Sequence, residues 1–170
     1  MTTERREPAF DADERTSLEG WLEFHRRTLA MKCEGLTDAQ LKTASVEPSP
    51  MSLMGLVRHM TDVERFWYRT VLVDEAVTPL YWTDEDPDAD FRLGEGTGWP
   101  EAYANWRAEI GTARHNAAGF ALDDLSRGRH RRSGQRMNLR WIHTHMIEEY
   151  ARHNGHADLI RERIDGVTGD

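Results

Sequence analysis

Met146-Ile147-Glu148-Glu149-Tyr150-Ala151-Arg152-His153 is the stretch whose reading decides the fold. At about 100° per residue, Leu139, Ile142, Met146, Tyr150, His153, Ala157, Ile160 and Ile164 fall on one face of a helix, with Glu149 at its edge and Glu148 pointing away. A carboxylate and an imidazole at spacing i, i+4 come within reach of one ion. The stretch therefore predicts a long helix with a buried face and, on that face, a candidate divalent-metal site inside a helical bundle.

Three further helices are expected upstream. The first runs from about Arg15 to Glu34, carries Leu18, Trp21, Leu22, His25 and Leu29 at helical spacing, and stops at Gly35. Thr37-Asp38-Ala39-Gln40 has the capping-box pattern of a short helical turn. Pro48-Ser49-Pro50 then forces an extended break. The second helix runs from about Ser52 to Val73, with Leu53, Leu56, Val57, Met60, Val63, Trp67 and Val71 as its apolar face and His59 at the edge of that face. The third covers about Pro100 to Phe120, opened by a favourable first-turn proline, and the last runs from Asn138 to about Ile164. No stretch has the alternation of a sheet. The expected class is all-α: a four-helix bundle with long loops between helices 2 and 3 (residues 74–98) and helices 3 and 4 (residues 121–137), one domain over 1–170 with residues 1–14 as an N-terminal extension.

Composition excludes several functions. Lys and Arg total 22 against 30 Asp and Glu, for a net charge of −8, and the basic residues are scattered, so no nucleic-acid surface is expected. No apolar run reaches the roughly 20 residues of a membrane span, and Met1-Thr2-Thr3-Glu4-Arg5-Arg6-Glu7-Pro8 lacks the core of a signal peptide, so the expected location is the cytoplasm. With Cys33 as the one cysteine, metal ligands must be histidine and carboxylate.

From spacing alone, other arrangements stay open. Glu149 could pair with Arg152, Arg140 or an arginine of the third helix instead of a metal. Competing ligand sets are His145 with Glu149 and His153, or His153 with His156. Trp21, Trp67, Trp106 and Trp141 read as core packing. The arginines at 127–132 read as a solvated loop, with an anion clamp as the alternative. Cys33 reads as a buried, inert thiol.

Two segments carry a resemblance: Leu53-Met54-Gly55-Leu56-Val57-Arg58-His59-Met60-Thr61-Asp62-Val63-Glu64-Arg65-Phe66-Trp67, and Met146 through Glu162 with Glu149, His153 and His156 inside it. Together they resemble the DinB-like superfamily, in its actinobacterial branch of mycothiol-dependent S-transferases and maleylpyruvate isomerase-like proteins, over nearly the whole chain from Glu14 to Ile164. The resemblance implies a four-helix bundle with a divalent metal on His59, Glu149 and His153, the isomerase-like variant with glutamate first in the i, i+4 pair. It further implies zinc as the ion, a low-molecular-weight thiol of mycothiol type as co-substrate, and a metal-dependent S-transferase or isomerase acting on an electrophilic small molecule. The expected partners are that thiol and that electrophile, with a homodimer allowed. The alternatives are a metal-dependent hydrolase and a non-catalytic metal-binding stress-response protein. The chain ends near residue 170, so the isomerase's second domain is not expected here, and Leu56, Val63, Met146 and Tyr150 are expected to wall the inner end of the site, with His156 at its rim.

Overall fold

The computed structural model describes residues 5–94, 96 and 98–169; the remaining residues, including 1–4 of the expected N-terminal extension, lie outside the described residues. Helix α1 covers Glu14–Cys33, the one-turn α2 covers Asp38–Leu41, α3 covers Leu53–Arg65, α4 covers Trp99–Ala118 and α5 covers Leu139–Asp165. The fold is all-α, and no described helix is long and apolar enough to cross a membrane.

Short polar side chains set the helix starts by accepting from first-turn N–H groups that have no intrahelical partner. Asp13 accepts from Thr16 N at 3.1 Å, Ser52 from Gly55 N at 3.1 Å, and Asn138 from Trp141 N at 2.9 Å. Thr37 and Gln40 form the expected reciprocal capping box. At the far end of α5, Gly166 closes the helix with φ of 80°, the left-handed conformation glycine adopts without a Cβ penalty.

The second long helix keeps the face read from the sequence: Leu53, Leu56, Val57, Met60, Trp67 and Val71 are buried, and Val63 is partly buried against the core. From Phe66 to Val71 it winds as a π-helix. Glu64 is fully buried while Val63 is only partly so. Glu64 follows Met60 by one turn, and its carboxylate is gripped by the Arg26 guanidinium at 2.7 Å on both oxygens. The Tyr150 hydroxyl donates to the same carboxylate at 2.8 Å and accepts from Trp106 Nε1 at 2.9 Å. This charged knot ties α1, α3, α4 and α5 together at the centre of the bundle.

α1 packs along α5, α3 along α4, and α3 also against α5. The α5 stripe read from the sequence is the core face: Leu139, Ile142, Met146, Tyr150, Ala157 and Ile160 are all buried. The tryptophans divide against expectation. Trp67 and Trp106 are buried, whereas Trp21 and Trp141 are 37% and 45% exposed. Trp141 lies at the rim, one turn before His145, and stacks on that imidazole with centroids 5.0 Å apart.

Both long connections are tied down. In the 74–98 loop, Leu80 N and Tyr81 N donate to the buried Asp62 carboxylate at 2.7 and 2.8 Å, and Arg58 donates to the Ala89 and Arg92 carbonyls at 3.3 Å each. The 121–137 loop closes the C-terminal end of the second helix, where Arg127 N and Gly128 N donate to Leu72 O and Val71 O at 2.8 and 3.0 Å. Gly128 is required there, because a Cβ would lie 2.3 Å from Thr70 O. The arginines beyond it are solvent-facing, as the loop reading anticipates: Arg131 meets Asp84 at 2.7 Å with both side chains about two-thirds exposed.

Candidate metal centre

His59 projects from the middle of α3, and Glu149 and His153 project one turn apart from α5, because their side chains sit at the seam where those two helices pack. One nitrogen or oxygen from each of the three lies within 4.8 Å of the others. His153 Nε2 is 3.5 Å from Glu149 Oε2, and the His59 and His153 rings have centroids 4.7 Å apart at 60°. The side chains of His59, Glu149 and His153 retain 27%, 18% and 11% of their exposure, so the cluster sits at the mouth of the seam and not in the sealed core.

Each member is oriented from behind. Asp90 Oδ2 lies 2.7 Å from His59 Nδ1, and its carboxylate is only 2% exposed. An imidazole that donates from Nδ1 to a carboxylate presents Nε2 as a lone pair, the arrangement that backs a ligating histidine. Phe91 stacks on the other face of His59 at 5.4 Å and 25°. His156 Nδ1 approaches His153 Nδ1 at 3.3 Å, leaving His153 Nε2 directed toward Glu149. The two oxygens of Glu149 are divided: Oε2 faces His153, and Oε1 faces His145 Nε2 at 3.4 Å. A hydrogen bond with His153 holds the Glu149 carboxyl below the usual carboxylate range, against the cost of its partial burial, with the nearby imidazoles acting in the same sense.

The alternatives left open by spacing are narrowed by these contacts. Arg152 is paired with Glu148 and Arg140 with Glu14 and Asp123, so Glu149 meets imidazoles where an arginine was an equal expectation. A second group of donors, His145, Glu148 and Glu149, also converges among the described residues. It is the poorer cage, since Glu148 is 45% exposed and engaged by Arg152, while the His145 ring is wedged against Trp141 and Trp67. Leu56, Met146 and Tyr150 belong to the sealed core and do not form a cavity wall; the Tyr150 hydroxyl is committed to Glu64 and Trp106.

The donor set suits a divalent cation of borderline softness: two imidazole nitrogens, one carboxylate, and backing carboxylate or imidazole partners behind the rings. Asp90 Oδ1 is buried with no hydrogen-bond partner among the described residues, a cost tolerated when the other oxygen carries an orienting task. Sequence reasoning missed Asp90. It is one of eight acidic residues between 74 and 98, in a segment read as a long loop, and the signal that marks it is its place beside Phe91, an aromatic residue that stacks on His59. Cys33 is buried, and burial pushes its thiol up to about 12.

A search of curated proteins gives no match. Residues 17–166, which include all four long helices except the first three residues of α1 and contain the whole cluster, match the model of the mycothiol-S-transferase family, and the chain belongs to that family.

Proposed function

We propose that His59, Glu149 and His153 hold a divalent cation, zinc by the chemistry of the donors, and that the protein transfers a small-molecule thiol of mycothiol type to an electrophilic small molecule. The observation that carries this reading is the convergence of two imidazoles and one ionised carboxylate within 4.8 Å, each held from behind by a second residue, in a chain whose family is named for mycothiol S-transfer.

Three protein donors leave coordination positions open, the mark of a catalytic site and not a structural one. A cation bound there would supply Lewis acidity, drawing the pKa of an incoming thiol toward neutrality so that the nucleophilic thiolate is present at physiological pH. The protein's own groups do the rest. Asp90 fixes the His59 ring and its tautomer; His156 fixes His153; His145 steadies the second oxygen of Glu149. The chain has no reactive thiol to offer, because Cys33 is sealed in the core and protonated, so the nucleophile comes from a small molecule. Both reactants would enter at the partly exposed mouth of the seam, where Asp90 and Phe91 lie against His59.

The test pairs metal analysis of the purified protein with consumption of mycothiol or a simpler thiol by a generic electrophile, in the wild type and in His153→Ala. Bound metal with thiol turnover in the wild type, and loss of both in the variant, is the expected result. Equal rates in the two proteins, or ester hydrolysis without thiol, would overturn it.

A further inference from the structure

Around the bundle α1 packs on α5, α5 on α3 and α3 on α4, but α1 and α4 barely pack against each other. A cavity of about 490 Å³ opens in that gap, lined by Leu22, Tyr68, Ala113, Ala117 and His143 with charged side chains at its rim. It is separate from the metal-ligand cluster: His143 precedes His153 by almost three turns of α5, about 15 Å along the axis.

The rim charges are satisfied. Arg15 pairs with Glu19 at 2.8 Å, Arg114 bridges the gap to Glu23 at 2.5 Å, and Arg26 is spent on Glu64. His143 is not satisfied. It is 2% exposed, its Nδ1 lies 2.8 Å from the Tyr68 hydroxyl, and its Nε2 is buried without a hydrogen-bond partner among the described residues; the Glu19 carboxylate oxygen stands off at 3.9 Å. Tyr68 is itself buried, and burial pushes its hydroxyl well above the ordinary tyrosine range, so it stays protonated. Nδ1 is the hydroxyl's hydrogen-bond partner among the described residues; with the hydroxyl as donor its proton is met, whereas the other tautomer would leave that proton without an acceptor there. A neutral imidazole accepting at Nδ1 carries its hydrogen on Nε2. Among the buried residues that line the cavity with Ala113, Ala117, Leu22 and Tyr68, His143 Nε2 is then an N–H donor with no partner among the described residues. Its volume falls in the roughly 300–1,000 Å³ range of small-molecule sites.

We propose that this cavity is a second small-molecule site, which takes a neutral, largely apolar molecule bearing one hydrogen-bond-accepting oxygen, seated on His143 Nε2. A charged ligand would have to displace ion pairs already made at the rim, and a pure hydrocarbon would leave the buried donor unmet.

The experiment titrates acetophenone into the full-length protein, following the His143 ring nitrogens and the Ala113 and Ala117 methyls by NMR, with ethylbenzene as the same shape lacking the oxygen. Saturable shifts at His143 Nε2 and both methyls are expected, with ethylbenzene binding about tenfold more weakly or less, and Ala117→Leu should abolish the shifts by filling the space. No saturable shift with acetophenone, as when water alone occupies the cavity, would overturn the proposal. So would equal affinity for the two probes, or shifts centred on His59 and His153. Should Ala117→Leu fail to fold, the ketone-to-hydrocarbon ratio in the wild type decides alone.

Discussion

Asp90 Oδ2 lies 2.7 Å from His59 Nδ1, joining an acidic loop to the α3 imidazole that completes the cluster. If this carboxylate fixes the His59 tautomer for a cation, Asp90→Ala should weaken zinc binding about 10- to 100-fold while far-UV circular dichroism stays unchanged. Competition with a calibrated chelator measures it. Wild-type affinity in the variant would reduce the contact to a loop anchor.

Glu149→Ala should abolish stoichiometric metal binding and leave the helices intact, since the apolar faces of four helices hold the bundle. Atomic emission on the dialysed variant and thermal unfolding of chelator-treated wild type check the two halves. Complete unfolding of the wild type by chelator would make the ion structural.

The buried Arg26–Glu64 pair should govern stability. Arg26→Ala would strand a carboxylate that is fully buried, and an uncompensated buried charge costs about 3–5 kcal/mol. Urea unfolding should show a lower midpoint with little change in slope, the slope multiplied by the midpoint shift giving a loss of that size. A loss below about 1 kcal/mol would mean that the Tyr150 hydroxyl and solvent suffice for Glu64.

His143 gives the stability a defined pH dependence. Burial first, with the Arg26 and Arg15 charges acting in the same sense, pulls its imidazole from 6.5 down to about 4. Below pH 6.5 the unfolded chain takes up a proton that the native imidazole refuses until about pH 4, so this contribution is complete above 6.5 and is lost as pH falls toward 4. The loss is on the order of 3 kcal/mol. Comparing wild type with His143→Gln cancels the carboxylates common to both, and the stability difference between them should shrink toward acid. A pH-independent difference would show that His143 titrates normally.

Cys33 should be silent. With its thiol buried and pushed up to about 12, it should resist a disulfide reagent until the protein is denatured, and Cys33→Ala should keep its thiol-transfer rate. A fall in rate with the fold intact would place the nucleophile inside the chain.

The sequence by itself determined what depends on local periodicity and capping. The α5 stripe from Leu139 to Ile160, the capping box at Thr37 and the helix starts at Ser52 and Asn138 are readable because helical spacing and first-turn hydrogen bonds are short-range rules. The same spacing put Glu149 and His153 side by side, and His59 joined them through a resemblance to a known family. Tertiary structure alone decided the rest. It chose imidazoles over arginine as partners of Glu149, brought Asp90 to His59 from 31 residues away, and buried Glu64 one turn after Met60 by giving its carboxylate Arg26 and Tyr150 as partners. Those outcomes depend on which buried charges find partners when the helices pack, an energy set by contacts distant in the chain that no local pattern encodes.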